Sequence, residues 1–153
     1  MTHTMEKSSI DTFRQLAVTQ GLTLGGLEHG GRHAQFIVAT AAAALAFTPG
    51  RAYSESEVNS LLREWLACPG SMLSTDHVEL RRCLVDCRLL ERDGFGRRYA
   101  RTAGAAEWSR ALTELAGFDL AVEAQMARAA NALRRAERKA HWEHRIRDSA
   151  IHS

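Results

Sequence analysis

Apolar residues recur at helical spacing through most of the chain, starting near its beginning. Phe13, Leu16 and Ala17 fall on one face of a short helix predicted over residues 9–20. Residues 21–33 then contain five glycines, a composition that favours turns and loops. The spacing of these glycines does not match the dinucleotide-binding fingerprint. We therefore expect a loop or hinge there, with at most one short strand.

Two helices are predicted between this glycine-rich segment and residue 70. Residues 34–47 are alanine-rich and apolar on nearly all sides, which predicts a buried helix. Ser54 and Glu57 have the spacing of a capping box, in which each side chain accepts a hydrogen bond from the other residue's backbone N–H. Apolar residues at helical spacing follow, so we expect a helix over residues 55–67.

A third helix and a hairpin are predicted next. Asp76 is suited to cap a helix over residues 77–88, with Glu79 at its third position. Residues 89–93 and 97–101 are short extended segments joined by a glycine turn, the pattern of a β-hairpin. This hairpin is expected to form a wing over residues 91–101.

The C-terminal part of the chain is predicted to be helical. A helix is expected over residues 105–116, and Asp119 is suited to cap a long helix over residues 119–147. Apolar and small residues recur along the long helix at spacings of four and three, as in a coiled-coil seam. The seam consists of Val122, Met126, Ala129, Leu133, Ala136 and Ala140. Trp142 lies off the seam, and exposed tryptophans are common at interfaces.

The order of these elements predicts a fold that is mainly α with a small β-hairpin wing. Residues 34–102 have the layout of a winged helix-turn-helix domain, with a recognition helix followed by the wing. Residues 1–33 are expected to form an N-terminal segment with a short helix and a Gly-rich loop. Residues 104–148 are expected to form a helical C-terminal extension.

The helix predicted over residues 77–88 has two chemically distinct faces at about 100° per residue. Its predicted core face consists of Leu80, Cys83, Leu84 and Cys87. The opposite face points to where a base edge or a phosphate would lie. That face consists of Val78, Arg81, Arg82 and Val85. In the wing, the residues placed to reach adjacent phosphates are Arg97, Arg98 and Arg101.

Charge adds little to this picture. Twenty Lys and Arg residues stand against eighteen Asp and Glu residues, which leaves a net charge of +2. Eighteen of the twenty basic residues are arginine, which suits phosphates and carboxylates but is also common in GC-rich genomes. Exposed arginines are often solvated or paired with acids, so DNA binding and protein contact both remain open for the winged domain.

Composition excludes several classes of protein. The chain has 153 residues, of which 45% are hydrophobic and 25% charged, as in one ordinary globular domain. The longest apolar run, residues 41–47, is far shorter than the roughly 20 residues that span a bilayer. Residues 1–10 lack the apolar core of a signal peptide. With three cysteines, a cytoplasmic protein without membrane contact is expected.

The residues give no support for catalysis or for a bound cofactor. The chain contains no nucleophile elbow, and no cysteine has neighbours that would activate its thiol. Cys83 and Cys87, with His77 nearby, have chemistry that zinc accepts, but both cysteines fall on the predicted core face. We therefore expect no catalytic residue, no cofactor and no metal site.

Five short motifs between residues 53 and 99 together resemble a known family. They are Tyr53-Ser-Glu-Ser-Glu57-Val58-Asn59-x-x-Leu62, Asp76-His77, Leu80-Arg81-Arg82-x-Leu84-Val85-Asp86, Leu89-Leu90-x-Arg92 and Gly96-x-x-Tyr99. The combination is similar to a small bacterial family catalogued as a domain of unknown function (family 2087), over about residues 34–101. Its members sometimes sit beside helix-turn-helix regulator domains, so the resemblance implies transcription-related work. The family pattern leads us to expect glycine after Cys87, where this chain has Arg88.

These observations favour a dimeric DNA-binding transcriptional regulator. It would read double-stranded DNA with the helix over residues 77–88 and the wing over residues 91–101. Three roles are open to the long last helix: pairing two copies of the chain, folding back over its own domain, or acting as a basic arm. The alternative function is a non-catalytic adaptor that binds a protein partner through residues 119–147 and Trp142.

Overall fold

The computed structural model describes residues 7–95 and 97–151, which contain seven α-helices, three short strands and one 3₁₀ turn. The elements are α1 (Ser9–Ala17), α2 (Leu24–His29), α3 (His33–Ala44), β1 (Ala52–Ser54), α4 (Glu55–Ala67), α5 (His77–Asp86), β2 (Leu90–Arg92), β3 (Arg98–Arg101), the 3₁₀ turn Ala106–Trp108, α6 (Ser109–Leu115) and α7 (Leu120–Ile151). The predicted fold class, mainly α with a small β-hairpin wing and a long C-terminal helix, is confirmed. Residues 1–6 and Gly96 of the predicted wing turn lie outside the described residues.

Helix α3 forms the centre of the core because nearly every side chain on it is small or apolar. Eight of its twelve residues are buried, and α1, α2 and α6 all pack against it. The indole Nε1 of Trp108 donates to Thr40 Oγ1 at 2.9 Å, so two polar groups in the interior satisfy each other. The predicted buried helix is confirmed, and it ends at Ala44, before Pro49.

The predicted caps of α4 and α5 are both present. Ser54 Oγ accepts from the backbone N–H of Glu57 at 3.1 Å, and Glu57 Oε1 accepts from the backbone N–H of Ser54 at 3.2 Å. Asp76 Oδ1 accepts from the backbone N–H of Glu79 at 2.8 Å. These bonds satisfy N–H groups that the first turn of a helix leaves unpaired. Helices α4 and α5 therefore begin at the residues that the sequence predicts.

The sheet contains one strand more than the predicted hairpin. Strands β2 and β3 pair in antiparallel fashion, with Arg92 opposite Tyr99, as expected for a wing. Strand β1 pairs with the other edge of β3, with Tyr53 opposite Tyr99, so the strand order is β1–β3–β2. Because β1 has three residues and leads directly into α4, it is too short to show an alternating pattern.

The prediction of a loop in the glycine-rich segment is wrong for residues 24–29, which form α2. Thr23 Oγ1 accepts from the backbone N–H of Gly26 at 3.0 Å and caps this helix. Leu24 and Leu27 are buried, and the helix packs on α3. Burial of these two leucines outweighs the poor helix propensity of glycine.

Helix α7 packs on the body of the protein over about its first three turns and then extends beyond it. Ala124 is buried, and Glu123 Oε2 lies 2.9 Å from Arg14 Nε on α1. Arg128 donates to two backbone carbonyl oxygens of the body, at 2.9 and 2.8 Å. From residue 132 to residue 151, a length of about 30 Å of helix, every residue is exposed.

None of the helices among the described residues is both long enough and apolar enough to cross a bilayer. Helix α7 has the necessary length, but charged residues are spread along it.

Candidate nucleic-acid interface

Helix α5 is held against the core by the face that its apolar spacing predicts. Leu80 and Leu84 are fully buried, and Cys83 and Cys87 lie half-buried beside them. Helix α4 packs against α5 on one side, and β2 follows α5 after a short turn. The helix is therefore fixed between α4 and the sheet, with its remaining face towards solvent.

Arg81 does not lie on that open face, and the expectation that it points outward is wrong. Its side chain is 15% exposed because it is enclosed between α5 and α4. Nη1 donates to Asn59 Oδ1 at 2.6 Å, and Nη2 lies 3.4 Å from Glu55 Oε1. Arg81 is about 100° around the helix from Leu80, so it borders the core face. The neighbouring helix α4 supplies acceptors at that border.

Arg82 is the arginine of α5 that faces solvent. It lies about 200° around the helix from Leu80 and is exposed. No residue in the described part of the chain forms an ion pair with it. Val78 and Val85, also predicted for this face, are half-buried. Arg82 and Val85 border a cleft of about 300 Å³ between α5 and the sheet, and Arg92 lines the same cleft.

The hairpin carries three exposed arginines, of which the sequence analysis named two. Arg97 and Arg98 are exposed as expected, and Arg92 on β2 is exposed as well. Within residues 7–95 and 97–151, no acid pairs with any of the three. Phe95 at the tip, which the sequence pattern did not bring out, has a side chain that is 87% exposed. A large apolar residue in a tight turn between two glycines is the signal that could have identified it.

Arg101, the last predicted contact of the wing, is turned away from the hairpin tip. Successive residues of a strand point to opposite faces, so Arg101 lies on the side of buried Tyr99 and Arg98 on the other. Arg101 Nη1 donates to the carbonyl oxygen of Phe47 at 3.1 Å, and burial lowers the pKa of its guanidinium. Arg101 therefore faces the end of α3, and the expectation that it flanks the wing turn with Arg97 is wrong.

Cys83 and Cys87 contact each other along α5. The hydrogen bond from the Cys83 thiol to Cys87 raises the pKa of Cys83, which burial raises further, and lowers the pKa of Cys87. Across residues 7–95 and 97–151, no three His, Cys, Asp or Glu side chains come together in the way that metal ligands do.

The predicted heptad seam lies on the outer face of α7. Val122, Met126 and Leu133 are exposed and lie roughly 160–180° around the helix from buried Ala124. The small residues of the seam are exposed too, and these are Ala129, Ala136 and Ala140. Trp142 is 63% exposed and lies on the opposite side of the helix from the seam. Helix α7 thus presents an unpartnered seam facing away from the body, and a tryptophan on its other side.

Residues 31–101 match the model of a family described as "Uncharacterized protein conserved in bacteria (DUF2087)". The match confirms the resemblance drawn from the motifs between residues 53 and 99. It runs from just before α3 to the end of β3, and helices α1, α2, α6 and α7 lie outside it. No curated protein and no solved structure matches the chain.

Proposed function

We propose that this chain, whose residues 31–101 match the model of that uncharacterized bacterial family, is a dimeric DNA-binding transcriptional regulator. Helix α5 would read the major groove, and the β2–β3 hairpin would hold the adjacent DNA backbone. The observation that carries the proposal is the element order α3, β1, α4, α5, β2, β3 with the strand order β1–β3–β2. The proposal takes this order as that of a winged helix-turn-helix, in which the helix before the hairpin would enter the groove.

The exposed arginines of α5 and the hairpin support the proposal. The guanidinium group matches both the edge of guanine and the oxygens of a phosphate. Arg82 projects from α5, where a base edge would lie, whereas Arg97 and Arg98 lie where phosphates would pass. Since no ion pair in the described chain occupies these groups, their donors are available to DNA. Phe95 at the hairpin tip adds an apolar contact of the kind that minor-groove binders use.

Arg81 has a supporting role in this proposal. Its bonds to Asn59 and Glu55 connect α5 to α4, so they hold the helix at a fixed angle to its neighbour. A substitution of Arg81 is therefore expected to reduce the stability of the α4–α5 pair and not to change base preference. Arg82 alone is therefore proposed to make the base contact that was expected of Arg81 and Arg82 together.

Helix α7 is proposed to pair two copies of the chain through its outer seam. The small side chains of Ala129, Ala136 and Ala140 allow a second helix to approach closely. The exposed end of α7 is long enough for a two-stranded coil of several turns. A two-fold dimer would present two copies of α5 to two half-sites of an operator.

The proposal is tested by fluorescence anisotropy with duplex DNA of random sequence, at about 50 and 200 mM salt. Binding is expected in the micromolar range, and it should weaken steeply with salt because phosphate contacts release counterions. Arg98→Ala should weaken binding to every sequence and reduce the salt dependence by about one phosphate contact. Arg82→Ala, measured on a selected site, should cost about 1–3 kcal/mol and relax the preference at one base pair.

Arg110→Ala is the matched control for these variants. Arg110 lies on α6, outside the proposed surface, and its Nε is 3.1 Å from Glu114 Oε2. Its removal should leave both the affinity and the salt dependence unchanged. Absence of binding to random duplex at the lower salt concentration would contradict the proposal. So would equal affinities for the wild-type chain, Arg82→Ala and Arg98→Ala.

A second function is favoured by Trp142, which is exposed on the free part of α7. A protein-interaction adaptor would use this helix to hold a different protein and would have no affinity for DNA. It predicts that the chain alone is a monomer and does not bind duplex at low salt. In that case Trp142→Glu should abolish the complex with the partner and leave the domain of α3 to β3 folded.

A further inference from the structure

A cavity of about 440 Å³ lies where the end of the family-matched segment meets the C-terminal helices. Its walls come from the end of α3, the loop that follows, α4, the end of β3, the end of α6 and the start of α7. The apolar side chains that reach the surface of this wall include Leu45, Phe118 and Leu120. The volume falls within the usual range of small-molecule sites, which are apolar pockets with few polar groups.

Arg101 supplies the cationic group of this cavity. Nη1 donates to the carbonyl oxygen of Phe47 at 3.1 Å. Among the described residues, this is the one hydrogen bond that the Arg101 side chain forms. A guanidinium has five N–H donors, so most of them remain available. No carboxylate in residues 7–95 and 97–151 pairs with Arg101, although partial burial lowers the pKa of the group. A partly buried cation without a counter-charge is costly unless an anion reaches it.

The other charged group on the cavity wall is Asp119, which is already used by the protein. Its Oδ1 accepts from the backbone N–H of Val122 at 3.3 Å and so caps the first turn of α7. The first turn of a long helix carries a partial positive charge, which favours an anion nearby. The start of α7, at Leu120 and Ala121, lines the same cavity as Arg101.

We propose that this cavity binds a small organic carboxylate with an apolar body. The carboxylate would lie on Arg101, because a planar guanidinium binds a carboxylate through two parallel hydrogen bonds. The apolar body would lie against Leu45, Phe118 and Leu120. At the roughly 30 Å³ that one water molecule occupies in the liquid, the volume of the cavity corresponds to about 15 non-hydrogen atoms. A ligand of this size touches both the family-matched segment and α7, so binding stabilises their packing against each other.

Isothermal titration calorimetry with naphthoate and its neutral counterpart naphthamide tests the proposal. The wild-type chain should bind naphthoate at least about tenfold more tightly than naphthamide, because the amide lacks the charge that pairs with the guanidinium. Arg101→Gln should remove this difference and leave the affinity for naphthamide unchanged. Arg32→Gln is the matched control, because Arg32 is exposed and directly precedes the first residue of α3, at the end away from the cavity. The affinities of this variant for both probes should equal those of the wild-type chain.

A second variant keeps the test decisive if Arg101→Gln does not fold, which circular dichroism would show. Ala116 is exposed and lines the cavity, so Ala116→Phe places a ring in the opening without disturbing the core. It should weaken the binding of both probes at least about tenfold.

The proposal is overturned if neither probe binds at about 10 mM, a concentration well above a millimolar Kd. Equal binding of both probes by the wild-type chain, or unchanged binding by Ala116→Phe, also overturns it. The assay contains no DNA, so its outcome is independent of the regulator proposal.

Discussion

Arg88 has a backbone conformation that glycine adopts more easily than any other residue. Its φ is +60°, in the left-handed region, directly after the last turn of α5. The backbone N–H of Leu89 then donates to the carbonyl oxygen of Leu84 at 2.9 Å, which closes the helix and directs the chain into β2. A side chain in this region costs about 1–2 kcal/mol. This is the position at which the family pattern leads us to expect glycine.

Arg88→Gly is expected to leave the fold intact and to raise the free energy of unfolding by up to about 1 kcal/mol. The gain is smaller than the strain removed, because glycine also increases the entropy of the unfolded chain. Urea unfolding followed by circular dichroism measures it. Arg82→Gly is the matched control, since glycine within α5 should cost about 1 kcal/mol. If both variants lose the same stability, the Arg88 side chain makes contacts that offset its strain.

Arg81 and Arg82 differ in environment although they are adjacent in the sequence. The helical period correctly places Leu80 and Leu84 in the core and predicts the angle at which each arginine leaves the helix. It does not predict that α4 lies beside Arg81 with Asn59 at hydrogen-bonding distance. Tertiary packing therefore decides which of two neighbouring arginines is left exposed to solvent.

At the scale of elements, the capping box is the clearest local signal in the chain. Ser54→Ala removes the side-chain acceptor for the first turn of α4 and should lower the free energy of unfolding by about 1 kcal/mol. Ser54→Asp retains an acceptor at the same place and should keep most of the stability. Thermal unfolding of the three chains measures the difference. Equal stability of Ser54→Ala and the wild-type chain would show that the cap contributes nothing to α4.

Glu57 gives the same element a pH dependence. The backbone N–H of Ser54 donates to the Glu57 carboxylate and lowers the pKa of Glu57, and the ion pair with Arg51 acts in the same direction. Because the folded pKa is below the unfolded pKa of about 4.3, this contribution is present above pH 4.3. It is lost as the pH falls through the lower, folded value. Glu57→Gln should therefore reduce the change in the free energy of unfolding between about pH 4.3 and the lower, folded pKa of Glu57.

Helix α2 and strand β1 show where local patterns do not suffice. Helix α2 contains two glycines and forms because Leu24 and Leu27 are buried beside α3. Strand β1 forms because β3 offers a free edge to Tyr53. The stabilising partner of each is a separate element of the fold, so a window of a few residues cannot reveal either one.

At the scale of the whole molecule, the seam of α7 leads to a prediction about assembly. Leu133→Glu places a charge at the middle of the seam and should convert a dimer into a monomer. Sedimentation velocity over a range of protein concentrations measures the change. Trp142→Glu is the matched control, because Trp142 is as exposed as Leu133 but lies on the opposite face of the helix.

The two variants distinguish which face of α7 is used. A dimer that survives Trp142→Glu and is lost in Leu133→Glu supports pairing through the seam. The reverse result assigns the interface to the tryptophan face, and a wild-type chain that sediments as a monomer removes the dimer from the proposal. Neither substitution alters the packing of α3, because both residues lie on the exposed part of α7.

The sequence by itself determines the elements whose signals are local. The capping residues set the start of α4 and α5, and apolar periodicity sets their buried faces. The alanine and other apolar residues of α3 predict its burial, and each of these signals lies within a few residues along the chain. Tertiary structure alone decides that Arg81 is enclosed, that Arg101 faces a cavity, and that the seam of α7 points away from the body. Each of these outcomes depends on which distant element lies beside a side chain, and burial and charge pairing are set by that neighbour.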